Sequence, residues 1–325
     1  MTGSFDLRRL RYFVKVGELR SLTRAAQALH IAQPALSHHI RALEEELGLQ
    51  LLERGPRGVS LTEAGVHLLD EARESLSRVR TMVERVKAET ATPEGEVIIG
   101  VGQTIGSLLM VPLLEATARH LPRVKIQVRE MMSGMLPDLV RSRSVDFALS
   151  YNVATGDGVE AYGILKEDMC LVGQRRLVSA FVPPHATTVN VESLGGVPLY
   201  LSHRSHVMRE LVERCARSRQ VTLNLLAEVD SLYIMKELVL QGAGCCILST
   251  ANVYRELDRY DLRLVRVVKP SIRREVCLVH RQGQVMSRSA REVAKLATQM
   301  LLEMVRDDVW SAVPLRKLAD IQTLF

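Results

Sequence analysis

The strongest constraint on the fold lies between Ser21 and Leu47, where two short helical runs are separated by only a few residues. Ser21 precedes the run Leu22-Thr23-Arg24-Ala25-Ala26-Gln27-Ala28-Leu29. A serine there is a good N-cap, because its hydroxyl accepts an orphan backbone N–H. The run is rich in alanine, so its backbone can sit close to a neighbouring helix. His30-Ile31-Ala32 then leads to Gln33-Pro34, with Pro34 in the first turn of a second helix, where its missing N–H costs nothing. On that helix Ala35, Leu36, Ile40, Leu43 and Leu47 point inward. Two short helices joined in this way make a helix-turn-helix, and its second helix is the one that enters a DNA major groove.

The flanks extend this unit. Leu7, Leu10, Phe13, Val14 and Val16 recur at helical spacing and predict an earlier amphipathic helix. After Gly48 two short apolar strands flank a Gly-Pro turn at Gly55-Pro56, a hairpin or wing. Arg54 and Arg57 stand at its tip, within reach of phosphate or the minor groove. Thr62 caps a long helix running to about Lys87, whose apolar positions Leu68, Ala72, Leu76, Val79, Val83 and Val86 repeat at intervals of three or four. Such a near-heptad stripe on a lone helix predicts a dimer.

Net charge alone does not argue for nucleic acid. The chain carries +6 at pH 7, but residues 1–60 hold nine Lys and Arg against six Asp and Glu, while residues 61–96 hold five against eight. The whole excess lies beyond residue 96, so the DNA-binding case rests on local placement. With 47% hydrophobic and 25% charged residues the composition is that of a soluble globular protein. No stretch approaches the roughly 18 uncharged apolar residues of a membrane span. The first residues lead into Arg8, Arg9 and Arg11 with no apolar run, so a cytoplasmic place without a signal peptide is expected.

Several strings now combine: Leu7-Arg8-Arg9-Leu10-Arg11-Tyr12-Phe13, Ser21 to Ala26, Ala32-Gln33-Pro34-Ala35-Leu36-Ser37 with Ile40, Leu43 and Glu44, and Leu51-Leu52-Glu53-Arg54 through Arg57-Gly58-Val59 to Leu61-Thr62-Glu63-Ala64-Gly65. Together they resemble the LysR-type transcriptional regulators. The resemblance implies that Gln33, Pro34, Ser37 and His38 face DNA, that Ser21 and Thr23 hold its backbone, and that Arg54 and Arg57 serve the wing. The chain departs from the pattern at His38-His39, where arginine or glutamine is common; histidine lacks the arginine fork that reads guanine bidentately.

Beyond a hinge at Ala91-Thr92-Pro93-Glu94-Gly95, strands and helices alternate. Strands are predicted at residues 97–101, 124–128, 145–149, 169–172, 197–201, 224–229, 246–248 and 275–279, and helices after the first strand and near 134–143, 205–218, 232–240 and 289–305. This alternation predicts parallel sheet with right-handed crossovers. The resemblance implies a fold class of α/β type: a winged helix-turn-helix rich in α-helix, then a two-subdomain effector domain similar to periplasmic binding proteins, with strands crossing near 166–169 and 265–269. The expected divisions are 1–61 for DNA binding, 62–90 for the dimerisation helix, 91–96 for the hinge, and 97–305 for the effector domain. Subdomain I takes 97–166 and 269–305, subdomain II takes 167–268, and 306–325 forms a C-terminal tail. Phrases such as Leu165-Lys166-Glu167-Asp168 and Glu228-Val229-Asp230-Ser231-Leu232 resemble the nitrogen assimilation control branch.

Helix starts mark the candidate effector site. Gln103-Thr104 opens the helix after the first strand, Ser133 the helix after the second, Ser202-His203 follows a strand in the second half, and Ser231 opens a helix there. Unpaired N–H groups and a partial positive charge at helix starts suit a small anion or carboxylate, and ligands of open α/β sheets gather at strand carboxyl ends. The expected partners are double-stranded DNA at an interrupted inverted repeat, a small-molecule effector, RNA polymerase and further copies of the chain, as homodimer or homotetramer.

Other motifs carry less. Gly100-Val101-Gly102-Gln103-Thr104-Ile105-Gly106 places its third glycine one residue late for a dinucleotide fingerprint, with no acid about twenty residues on. His203 and His206 have no paired cysteines to complete a metal site, and adjacent Cys245-Cys246 would form a strained ring. No catalytic constellation stands out, so neither an enzyme nor a cofactor is expected. The rival reading is a small-molecule binding or transport-type protein whose first ninety residues only dimerise it.

Overall fold

The computed structural model describes residues 6–55, 58–87, 92–204, 206–257, 259–317 and 320. The chain divides into two compact units, with the main break between Ala91 and Thr92.

Local capping shapes the first unit. Asp6 caps α1 (Leu7–Leu19), its carboxylate accepting the Arg8 N–H at 2.8 Å, and Arg20 ends the helix in the left-handed region. The Ser21 hydroxyl accepts the Arg24 N–H at 3.3 Å and opens α2 (Leu22–Ala28). His30, with φ 54°, turns the chain into α3 (Gln33–Leu47), which ends at Gly48 with φ 65°. Past that turn the Glu44 carboxylate accepts the N–H groups of Leu51 at 2.9 Å and Leu52 at 3.1 Å. It thereby aims the chain into β1 (Leu52–Gly55), which pairs antiparallel with β2 (Gly58–Leu61). Thr62 starts α4 (Glu63–Lys87). Its hydroxyl donates to the Gln50 carbonyl at 2.7 Å and accepts the Gly65 N–H at 3.0 Å. Phe13, Val16, Leu36, Ile40, Leu43, Leu51 and Leu69 are buried together. Each such side chain contributes about 1.5–3 kcal/mol when fully buried.

The stripe expected along α4 divides in two. Leu69 and Ala72 are buried, and Leu69 packs on Gly17 of α1. Leu68, Leu76 and Val79 stay half-buried, and the side chains of Val83 and Val86 lie outside the described residues.

The second unit holds two six-stranded sheets. In chain order come β3 (Gly95–Gly102), α5 (Gln103–His120), β4 (Val124–Met131), a 3-10 turn over Ser133–Met135, α6 (Leu136–Arg141), β5 (Phe147–Tyr151) and β6 (Val159–Asp168). Met169 carries the chain across to the second sheet. There follow β7 (Cys170–Gln174), α7 (Arg175–Ser179), β8 (Thr188–Asn190), β9 (Leu199–Leu201), α8 (Val207–Ser218), β10 (Leu225–Glu228), α9 (Leu232–Leu240), β11 (Cys245–Leu248), α10 (Thr250–Val253) and β12 (Leu262–Val268). A return through residues 269–272 gives β13 (Arg273–Arg281), α11 (Arg288–Arg306) and β14 (Ala312–Pro314). The first sheet runs β14-β6-β13-β5-β3-β4 and the second β10-β9-β11-β7-β12-β8.

Two sequence expectations are corrected. The sheets are mixed, not parallel: β3 runs parallel to β4 and β5, but β13 is antiparallel to β5 and β6, and β7 is antiparallel to β11 and β12. The crossing strands follow one another without an intervening helix, so they do not obey the crossover pattern read from the rest. The described part of 306–325 is also not simply a tail. Trp310 is fully buried in the first subdomain's core, and β14 pairs antiparallel with β6.

Candidate functional site

Two places bring polar groups together, one in each unit. On α3 the positions Pro34, His38, Arg41 and Glu45 are all exposed. Their spacing puts them on one side of the helix. Gln33 is exposed beside them, and its amide donates to the Ser37 hydroxyl at 3.3 Å. Ser37 itself is only 8% exposed. It shares the inward face with Leu36 and Ile40, so its first role is to hold Gln33. His38 faces outward, whereas His39 is half-buried edge-on against Tyr12, ring centroids 5.1 Å apart. Burial, then the nearby Arg8 charge, pushes the His39 imidazole below its ordinary range. Thr23 is exposed and Ser21 is spent as the α2 cap. The Arg54 side chain and all of Arg57 lie outside the described residues. Arg41, which the motif reading passed over, is found by continuing the phase of Pro34 and His38.

In the second unit a cavity of about 540 Å3, its open mouth included, lies between the two sheets. Gln103, Thr104, Ser133 and Ser202 are among its lining residues. His203 and Ser231 are not among its lining residues. His203 is exposed, with its backbone N–H donating to Asp230 at 2.7 Å, and Ser231 caps α9 by accepting the Ile234 N–H.

The groups that organise the cavity were not singled out by sequence. Arg274 of β13 is buried, and its Nε donates to the Glu167 carboxylate on the adjoining strand β6. The Trp310 indole N–H donates to the other Glu167 oxygen at 2.6 Å. Arg274 Nη2 reaches Thr104 Oγ1 at 3.3 Å and Ser249 Oγ at 3.4 Å, and its guanidinium lies 3.7 Å over the Tyr151 ring. Burial works against the arginine charge, but Glu167 and Tyr151 together outweigh it and hold the guanidinium above its ordinary range. Asn252 donates to Thr104 Oγ1 at 2.9 Å, while its own carbonyl accepts from the Ser249 N–H and hydroxyl. The rest of the wall is largely apolar and rich in sulfur: Met131, Met132, Met169, Met208 and Met235 with Leu232, Ile247 and Leu248. Asn252 follows strand β11 at a helix start, a signal of the same kind that found Thr104.

Among the described residues lining the cavity there is no cysteine. Burial pushes Cys170, Cys245 and Cys246 up to about 12. At pH 8 such thiols are ionised in roughly one molecule in ten thousand, and the thiolate is the reactive form. In the folded protein these three are expected to resist iodoacetamide, with half-buried Cys215 reacting first. Peptide mapping by mass spectrometry before and after denaturation checks the order, which an early adduct on Cys245 would contradict.

Comparison with known proteins bears on both places. Residues 7–66 match the bacterial regulatory helix-turn-helix protein, lysR family, and residues 90–302 match the LysR substrate binding domain. The nitrogen assimilation regulatory protein nac of Klebsiella aerogenes is 31% identical over 268 residues, 82% of this chain and 86% of that protein. The transcriptional dual regulator OxyR of Escherichia coli K12 is 27% identical over 278 residues, 86% of this chain and 90% of that protein. Among solved structures, a full-length OxyR variant from Pseudomonas aeruginosa superposes with a TM-score of 0.70 at 21% identity, covering 94% of this chain and 95% of that one. Full-length CbnR in complex with its target DNA gives 0.60 at 23%, covering 93% and 99%. No helix among the described residues is long and apolar enough to cross a membrane. With a helix-turn-helix at one end, a substrate-binding domain over most of the remainder and both matched to one family, the chain belongs to the LysR family of DNA-binding transcription regulators.

Proposed function

We propose that this regulator acts in the cytoplasm as a dimer or tetramer, reads an interrupted inverted repeat through the exposed side of α3, and answers to a small molecule held in the cavity between the two sheets. The observation that carries the effector reading is the buried polar group of Thr104, Asn252 and Arg274 at an otherwise apolar cavity wall. A ligand that prefers one spacing of the subdomains shifts the population toward it and so alters contact with DNA and RNA polymerase. The uncapped start of α5 and the Arg274 cation support the expected small anion or carboxylate; Glu167 behind Arg274 and Asp230 in the wall weigh against a full negative charge.

Gel shift with DNA from the protein's own promoter region tests the DNA reading. Gln33→Ala and His38→Ala are each expected to weaken specific binding by roughly ten- to a hundred-fold, the scale of a lost base contact, while sedimentation still shows the oligomer. Equal operator affinity in the double variant refutes the assigned surface. Ser37→Ala does not discriminate, because that hydroxyl is buried against Gln33.

A further inference from the structure

Among the described residues lining the cavity, Tyr151 is the one whose fully buried side-chain oxygen meets no hydrogen-bond partner in good geometry. Tyr151 ends β5 and is 5% exposed; its O–H has no acceptor in good hydrogen-bond geometry, and burial raises the phenol's pKa against the opposing pull of Arg274 and of the nearby Thr104 hydroxyl. A buried hydroxyl left unpaired costs about 1–3 kcal/mol, so a ligand atom that accepts from it recovers that cost. Beside it the start of α5 is equally open. Its N-cap is Gly102, which offers no side-chain cap, and the Tyr151 ring and Ser133 hydroxyl crowd the place where a Cβ would stand. Tyr151, Gln103 and Ser133 all line the same cavity.

The charge balance limits what they can bind. Among the described residues, the ionisable groups lining the cavity are Arg274, Asp230, His206 and the Tyr151 phenol. Arg274 is matched by Glu167, its Nη2 is turned to Thr104 and Ser249, and its face is covered by the Tyr151 ring. Burial pushes the His206 imidazole down, leaving it neutral near pH 7, and its Nδ1 accepts the Met208 N–H at 3.1 Å. The carboxylate of Asp230 has no such counter-ion in the wall. A carboxylate ligand would enter a space whose fixed charges sum to a small negative value, and a desolvated anion there lacks a free cation to meet it.

Resting on the reading of this cavity as the effector site, we propose that its ligand is an uncharged molecule with an apolar body and one oxygen acceptor, the oxygen taking the Tyr151 hydroxyl and the body lying on the methionine wall. Burial keeps the phenol protonated through the physiological range, so it serves as a donor throughout. The five thioether side chains are flexible and polarisable, which suits an apolar body of loosely specified shape. Thr104, itself held by Asn252, accepts from Arg274 and so fixes the guanidinium over the Tyr151 ring.

Three probes of one shape and different charge test the class on the full-length protein: hexanamide, hexanoate and hexylammonium, followed by ligand-observed NMR at millimolar concentration. Hexanamide is expected to bind the wild-type chain at least about ten-fold more tightly than either charged probe. In Tyr151→Phe, which keeps the ring and its stack on Arg274, hexanamide affinity is expected to fall roughly five- to ten-fold with the thermal midpoint of the free protein held or raised. A preference for hexanoate or hexylammonium, or no binding of hexanamide, overturns the ligand class; equal affinity in Tyr151→Phe overturns the assigned donor. Met208→Trp fills the cavity from a half-exposed helix position and separates the two readings. If hexanamide binds that variant as it binds the wild type, the cavity is not the site and the effector reading itself fails. If binding is lost there yet hexanoate is the preferred probe, the site stands and only the ligand class falls.

Discussion

Replacing Glu167 by alanine is expected to destabilise the effector domain by about 3–5 kcal/mol, the scale seen when one member of a buried ion pair is removed. Glu167 is fully buried, Arg274 nearly so, and the variant leaves a guanidinium without its counter-ion where water cannot replace it. The Trp310 indole loses its acceptor in the same step. Because Trp310 lies just before β14, the loss reaches the closing strand of the first sheet as well as the cavity. Glu167→Gln keeps the shape but turns an amide N–H toward either Arg274 or Trp310, both of them donors, and its cost is expected near 1–3 kcal/mol. Trp310→Phe, which removes only the indole donor and some volume, belongs at the lower end of that range. Changing the pair together to methionine is expected to be milder than Glu167→Ala, since paired apolar replacements remove the stranded charge. Denaturant unfolding of the effector domain checks the order. A Glu167→Ala cost below about 1 kcal/mol, the size of an ordinary surface substitution or little more, contradicts the buried pair.

The same residues show where sequence reading stops. The first unit is legible because its signals are local: Ser21 caps α2, Pro34 sits in the first turn of α3, Gly48 ends it, and Thr62 starts α4, each within a few residues of what it controls. Leu36 and Ile40 fix the phase of α3, and that phase leaves Ser37 nearly buried while its hydroxyl still accepts from exposed Gln33. In the second unit the helix starts Gln103, Thr104 and Ser133 lead to the cavity for the same local reason. Arg274 and Glu167 do not, because a charged residue in a strand reads as surface until the partner strand is known. The register that sets Arg274 against Glu167 joins residues 107 apart in the chain. Trp310 and β14 were lost similarly: three residues of strand beyond a long helix carry no periodicity, and only pairing with β6 gives them a place. His203 and Ser231 obey the local rule and still miss the wall, one turned to solvent and the other spent on its own helix.

Gly65→Ala is expected to unseat the start of α4 and cost about 3 kcal/mol, the upper part of the range for overpacking. Gly65 sits in the first turn after Thr62, and a Cβ there would stand 2.1 Å from the Leu51 carbonyl oxygen and 3.1 Å from its carbon. Neither atom belongs to a flexible side chain. The same carbonyl accepts the Thr62 N–H at 3.0 Å, while the Leu51 and Leu52 N–H groups are held by Glu44, so the backbone that must yield is tied to both α3 and α4. Relief by moving α4 would draw Leu69 away from Gly17 and open the core beneath α3, weakening operator binding without touching any exposed residue of that helix. Gly48→Ala is the control, for it combines a left-handed φ of 65° with nothing within 4 Å of the added Cβ. Its strain alone is expected to cost about 1–2 kcal/mol. Hydrogen exchange reads both variants on the full chain: Gly65→Ala should lose protection across α1 to α3 with the effector domain unchanged, and Gly48→Ala should lose less. If the two variants exchange alike, or if Gly48→Ala is the more damaging, the close seat of α4 on Leu51 is not the contact that holds the recognition helix in place.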